Sequence, residues 1–416
     1  MKFFHFNSIP KHWFIIIFGL KVICSILLTI IYSSYYSSRA TADIFKYFDD
    51  SKVMFDALTS HPIDYFKMLF AVDNDNSYFN ENYYQYMNHW VRPYTANLFS
   101  DSHIIIRFNA FVRLFSFGYF NVHNVFINFL SLVGLTLIFK AFKSFLAQKE
   151  KALFYVIFLA PSVLFWGSGL LKESLIFLAL GLLLVNFFKL FHQIKIIYLF
   201  LIVAAIILIM YTKFYLLIAF SIPIGGYLIN QFFNKKNPIY GYLIATIFFI
   251  ICANVFPLVN DKLDIVFQIA NKQQVFSRFI AHVETNSGFL IPHLTDGLSI
   301  LKTIQNALVN TLIRPFFWEC KSVFVLLSAF ENTAVLFAIF ITLYFRKKIN
   351  NASINILCFN LFFVFGLFVL IGLTTPVFGA IMRYKIPGLI LLLISLLIVI
   401  DLQKVKNTFP FLNKIL

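Results

Sequence analysis

Residues 13–35 read WFIIIFGLKVICSILLTIIYSSY, an apolar run whose one charge is Lys21, with Lys2 and Lys11 ahead of it. About twenty helical residues at about 1.5 Å each match a hydrocarbon layer of about 30 Å. The run exceeds the apolar core of a cleavable signal peptide. The Ala40-Thr41-Ala42 triplet, which resembles a signal-peptidase site, lies well past its end. The segment is therefore predicted to be an uncleaved first span.

Further runs at 119–140, 152–168, 170–190, 194–212, 214–233, 239–257, 323–345, 353–373 and 386–402 have the same character, which predicts an all-α polytopic membrane protein of about ten transmembrane helices. Composition agrees. Hydrophobic residues make up 60% of the 416 and charged residues 12%, with a mean hydropathy of +0.82, and a water-soluble surface could not be built from so few polar groups. The whole chain, 1–416, then reads as one integral membrane domain. The +16 net charge would point to nucleic acid in a soluble protein. Here the basic residues sit at the ends of apolar runs, so the charge reports topology, and no nucleic-acid partner is expected.

With the N-terminus inside, the cytoplasmic segments hold Lys2, Lys11, Lys140, Lys143, Lys149, Lys151, Lys189, Lys195, Lys235, Lys236, Arg346, Lys347, Lys348, Lys404, Lys406 and Lys414, against the acids Glu150 and Asp401. Short outer connections carry only Lys172, Lys213, Arg383 and Lys385. That asymmetry predicts both termini inside. Two long segments, 36–118 and 258–322, fall outside and read as amphipathic juxtamembrane helices. Ile44, Phe48, Phe55 and Leu58 form one stripe. Ile104, Phe108, Phe111 and Phe115 form another, with Arg107 and Arg113 opposite.

The remaining charges gather at the outer ends of the spans. Nine of the 18 acids lie in the first outer segment, and Asp43, Asp49 and Asp50 follow the first span directly. On a helix Asp43, Tyr47 and Asp50 share one face. Asp43 is otherwise a natural N-cap, and a carboxylate here is also placed to act as a general base. Lys172 and Glu173 lie beside the turn Gly167-Ser168-Gly169, where a charge pair either snorkels to water or serves a ligand. Lys213, Arg314 and Arg383 stand at membrane boundaries, the arginines beside Trp318, Glu319 and Tyr384; guanidinium groups there either anchor the helices or grip phosphate. Glu331 falls inside the predicted eighth span. Cys24, Cys252, Cys320 and Cys358, with six scattered outer histidines, show no ligand spacing, so neither metal nor disulfide is expected.

In architecture most of the chain resembles the GT-C glycosyltransferases, such as the dolichyl-phosphate-mannose–protein mannosyltransferases and the lipid A aminoarabinose transferase. Asp43-Ile44-Phe45-Lys46-Tyr47 is similar to the acid that this family places after its first span, in a D-x-x-x-Y pattern. The family commonly has two adjacent acids there, and residue 44 is Ile, so either Asp43 or the Asp49-Asp50 pair fits the role. The stretches 161–173, PSVLFWGSGLLKE, and 314–319, RPFFWE, look like segments of bacterial membrane proteins of surface-polysaccharide assembly. The resemblance implies an inverting hexosyl transfer from a polyprenyl-phosphate sugar to a glycan, lipid or protein acceptor, outside a bacterial inner membrane. Asp43 or Asp50 would be the base. Lys172, Lys213, Arg314 and Arg383 would hold the lipid phosphate, supported by Tyr47, Glu173, Trp318, Glu319 and Tyr384. No cofactor or divalent metal is then required. An O-antigen-type polymerase or ligase, leaning on late arginines, is the alternative enzyme. A lipid-linked-sugar transporter or flippase would want charges near the midplane, where only Lys21 and Glu331 stand.

Overall fold

A computed structural model of the protein describes residues 2–35, 38–90, 102–233, 237–282 and 287–410. Lys235, Lys236 and Lys414 of the basic flanks, and Asp101 of the first outer segment, lie outside the described residues. The regular structure of the described residues is helical, apart from the isolated bridges Gly288–Val377 and Arg346–Ile400.

In chain order, α1 (Lys11–Tyr35) leads to α2 (Asp43–Ser60), α3 (Pro62–Phe70), α4 (Ser77–Asn82) and α5 (His103–Ser116). Next come α6 (Phe120–Lys143), α7 (Glu150–Phe158), α8 (Pro161–Trp166), α9 (Lys172–Leu190) and α10 (Ile196–Lys213). There follow α11 (Tyr215–Phe233), α12 (Ile239–Val259), α13 (Ile265–His282) and α14 (Gly297–Leu308). The last are α15 (Val323–Tyr344), α16 (Asn351–Thr374), α17 (Phe378–Tyr384), α18 (Ile386–Val399) and α19 (Leu402–Thr408). Two compact units result. One holds residues 1–142 and 158–214, the other 143–157 and 215–416.

Among the described residues, eight helices or merged helices are long and apolar enough to cross a membrane: α1, the stretch Phe120–Phe158, α9, α10, α11, α12, α15 and α16. The pair α17–α18, bent by 57°, makes a ninth if counted as one span. The protein is thus a polytopic helical membrane protein. The third expected span, 152–168, is not one helix: α7 stops at Phe158 and α8 begins at Pro161. A proline ring crowds the residue before it out of helical geometry, so hydropathy runs on where the backbone cannot.

In the first unit, α2, α3, α4 and α5 bury Tyr47, Met54, Tyr65, Met68, Phe79 and Tyr84 in a core shared with Leu28 and Tyr32 of α1 and Leu170, Leu171 and Leu175 at the start of α9. The segment after the first span is therefore a packed cluster of helices. Helix α5 divides its stripe: Ile104 and Phe108 pack against this core. Phe111, Phe115 and Phe117 are exposed, while Asn109 and Arg113 are buried. In a membrane protein an outward apolar face meets lipid at no cost, and polar groups go inward to find partners. Arg113 finds them: it donates to Ser51 Oγ at 2.8 Å and the Phe48 carbonyl at 2.6 Å and lies over the Phe48 ring. Asn109 Oδ1 accepts from His123 Nδ1 at 2.7 Å, and His123 Nε2 meets Ser116 Oγ at 2.7 Å. In the second unit, α16 is the hub. Helices α11, α14 and α18 pack along it, and Leu294, Ala307, Val369 and Leu373 form a small core beneath α14.

Candidate functional site

Within the first unit, the structure separates the three acids that follow α1. Asp43 opens α2 and is half-buried. Asp49 is committed to Arg39, whose Nε and Nη2 donate to its two oxygens at 2.7 and 2.9 Å on an exposed surface. Asp50 is 1% exposed, and its oxygens accept the backbone N–H groups of Asn88 and His89, both at 2.7 Å. Burial pushes the Asp50 carboxyl up to about 6, against the pull of those two N–H groups.

Tyr47 and Asp50 are both buried on α2. Tyr47, wholly buried, packs its ring 5.3 Å from that of His89, next to the Asp50 clamp. The Lys172 ammonium lies over the same ring, 5.4 Å from its centroid. Lys172 and Glu173 are 3% and 2% exposed in the first turn of α9, so they do not snorkel to the surface. Lys172 thus meets the Tyr47 ring, and Asp50 is linked to that ring through His89, whose amide donates to Asp50 and whose ring faces Tyr47. Lys213 is also buried, at the end of α10, where the helix's last carbonyls favour a cation.

The turn between α8 and α9 is set by glycine. Gly169 has φ of +85°, a conformation costly for any residue with a Cβ, and its amide donates to Asn128 Oδ1 at 3.3 Å. The carbonyl of Gly167 accepts from Ser131 Oγ at 2.7 Å, Ser174 Oγ at 3.1 Å and Lys21 Nζ at 2.6 Å. Lys21 could be noticed in the sequence as a charge inside a span; its partner, 146 residues away, could not.

The second unit holds the other candidates. Arg314 forms an ion pair with Glu319, to which Nε and Nη2 donate, and Nη1 donates to Asn310 Oδ1 at 3.0 Å. Its guanidinium lies 4.4 Å from the Phe289 ring centroid and 5.2 Å from that of Phe378, the two rings being stacked. Partial burial raises the Glu319 carboxyl; the hydrogen bonds from Arg314 and the Phe316 amide outweigh it and hold Glu319 below the usual range. Asn332 donates to the Arg314 carbonyl at 2.7 Å and accepts from Lys385, which also donates to the Thr311 carbonyl at 3.2 Å. Lys385 is therefore the cation tied to Arg314. Asn332 escaped sequence reading, although an Asn beside Glu331 within an apolar run is a visible signal. Arg383 is half-buried on α17. Tyr384 stands 6.2 Å from the Tyr215 ring, over which Lys272 is placed at 4.4 Å. Trp318 is 81% exposed and stacks on Phe316. Glu331 lies within α15, half-buried.

Chemically, the first unit offers a half-buried carboxylate, a buried one raised by burial to about 6, and a buried ammonium. The second offers a guanidinium paired with a carboxylate and packed against two stacked rings. Comparison of the chain with family models, with curated proteins and with solved structures finds no match.

Proposed function

We propose that this protein is a membrane glycosyltransferase that moves a sugar from a polyprenyl-phosphate donor to an acceptor hydroxyl on the non-cytoplasmic face. The observation that carries the reading is the placement of Lys172 over Tyr47, which joins a buried cation to the acid-bearing face of α2. The GT-C resemblance at Asp43 and Tyr47 supports it, and the concentration of basic residues on the predicted inner flanks supports the outward orientation.

In this reading Asp43, the half-buried acid, is the base. The acceptor oxygen attacks the anomeric carbon as the bond to phosphate breaks, and its electron pair leaves with the phosphate. The hydroxyl proton passes to the Asp43 carboxylate. Lys172 balances the charge that grows on the departing phosphate. Asp50 positions α2 by clamping it to residues 88–89. Polyprenyl phosphate is released, and the sugar is inverted.

The test is release of polyprenyl phosphate by the full chain in lipid nanodiscs, supplied with a panel of polyprenyl-phosphate sugars and membrane extracts as acceptor. Release that Lys172→Ala weakens through donor affinity supports the reading; no release from any donor sinks it. Arg314, packed against the two stacked rings, favours a second reading, a polymerase or ligase of lipid-linked glycans. That enzyme would give a ladder of lengthened products in the same assay, lost in Arg314→Lys.

A further inference from the structure

Lys21 is fully buried within α1, the first span. A charged side chain inside a membrane protein is expensive and is retained where something uses it. Among the described residues its ammonium donates to one group, the carbonyl of Gly167 at 2.6 Å. That carbonyl closes α8, a helix of six residues that stops within the unit, and α9 starts five residues later at Lys172. Carbonyls at the end of a broken helix carry partial negative charge and gather cations. Here the cation is covalently attached to the protein.

The same carbonyl also accepts from Ser131 of α6 and Ser174 of α9, and Asn128 links the Gly169 amide to the Lys21 carbonyl, donating to the latter at 3.3 Å. One oxygen thereby collects three donors from three helices. A carbonyl has two lone pairs, so a third donor is held by charge more than by direction. Ser174 lies in the same helical turn as Lys172, so whatever fixes the Gly167 carbonyl also fixes where α9 begins and where the Lys172 ammonium sits over Tyr47.

We propose that Lys21 is a built-in monovalent cation of the α8–α9 break, a positioning residue that presents Lys172 to the phosphate of the lipid donor. The role of Lys172 in this statement rests on the glycosyltransferase reading; the pinning of the break does not. Two substitutions separate charge from hydrogen bonding. Lys21→Gln retains an amide donor for the Gly167 carbonyl and removes the charge, whereas Lys21→Met removes both.

The experiment measures two quantities on the full chain in nanodiscs: binding of undecaprenyl phosphate, and hydrogen exchange of the peptide covering residues 161–175, with a peptide from α10 as reference. Both variants are expected to bind undecaprenyl phosphate at least tenfold more weakly than the wild type. Exchange in 161–175 should rise at least fivefold, with α10 unchanged. Unchanged exchange in both variants overturns the pin, and wild-type exchange and binding in Lys21→Gln overturn the part played by charge. If Lys21→Met does not fold, Lys21→Gln carries the test alone. If the wild-type protein does not bind undecaprenyl phosphate while the variants still loosen 161–175, the donor reading fails and the pin stands.

Discussion

Lys172 carries its ammonium over the ring of Tyr47, 5.4 Å from the centroid, so the first turn of α9 meets the face of α2 that bears Asp43 and Asp50. Both side chains are buried, and a desolvated cation–π contact contributes about 2 kcal/mol. Tyr47→Phe keeps the ring and should leave the apparent melting temperature and donor affinity close to wild type. Tyr47→Leu should lower both, with a stability loss of about 2–4 kcal/mol from the lost ring and the cavity it leaves. Equal behaviour of the two variants would mean that the ring is not what holds Lys172.

Asp43 and Asp49 stand six residues apart on one helix and have different surroundings. Asp49 is exposed and paired with Arg39, and Asp43 is half-buried at the start of α2. Removing a general base costs about 10²–10⁴ in rate. Asp43→Asn should therefore reduce transfer at least about a hundredfold at unchanged folding, while Asp49→Asn, losing an exposed ion pair worth about 0–1 kcal/mol, should keep most of it. Near-normal transfer by Asp43→Asn would remove it from the mechanism.

Asp50 makes stability depend on pH in a predictable direction. Burial raises its carboxyl from an ordinary 3.8 to about 6, so between those values the folded protein binds a proton that the unfolded chain does not. More protons on the folded state means that stability falls as pH rises through this window, by roughly 3 kcal/mol in total, and is level above it. The melting temperature measured from pH 4 to pH 7 should carry this falling component in the wild type and lack it in Asp50→Asn. Parallel curves for the two proteins would place the proton elsewhere.

What was legible in the sequence follows from what lipid demands. A span needs a long apolar run, so eight or nine of them can be read directly. The stretch 152–168 passed the same hydropathy reading because Pro161 breaks the backbone without making the run polar. The stripe of α5 was legible as apolar, but not which part of it meets the core: Ile104 and Phe108 pack inward, Phe111 and Phe115 are exposed, and Arg113 is buried against Ser51 and Phe48. At the candidate site, residue types at the ends of the spans could be named, but not their partners. Lys21 finds Gly167 across 146 residues and Asp50 finds His89 across 39, and no local spacing encodes either. The pairing of Asp49 with Arg39 likewise has no local signature.

Arg314 and Glu319 form a pair in which each is about one-fifth exposed, and Arg314 is further held by Asn310 and the Phe289 ring. Because the Glu319 carboxyl is held below its ordinary value, the pair contributes stability that is present above pH about 4.5 and is lost as pH falls through the lowered value. Arg314→Ala leaves Glu319 without that partner and should cost roughly 2–3 kcal/mol at pH 7. The double variant with Glu319→Gln should recover part of the loss. If the two substitutions simply add in a double-mutant cycle of melting temperatures, the pair is not coupled.

Helices α6 and α9 touch backbone to backbone at Gly134 and Gly181. A methyl group built on Gly134 would overlap the carbonyl of Phe177, and one on Gly181 would overlap the carbonyl of Gly134. Close approach through small residues is how helices associate where lipid removes the hydrophobic drive. Helix α9 also carries Lys172, and Ser131 of α6 holds the Gly167 carbonyl, so separating the two helices should disturb the break as well as the packing. Gly181→Ala is expected to cost about 1–3 kcal/mol and Gly181→Leu more, both with faster exchange in residues 161–175. Gly19, in the middle of α1, has nothing within 4 Å of an added methyl, so Gly19→Ala should be neutral or stabilise by up to about 1 kcal/mol through helix propensity. If Gly181→Ala proves as silent as Gly19→Ala in melting and exchange, α6 and α9 do not rest on one another at these glycines.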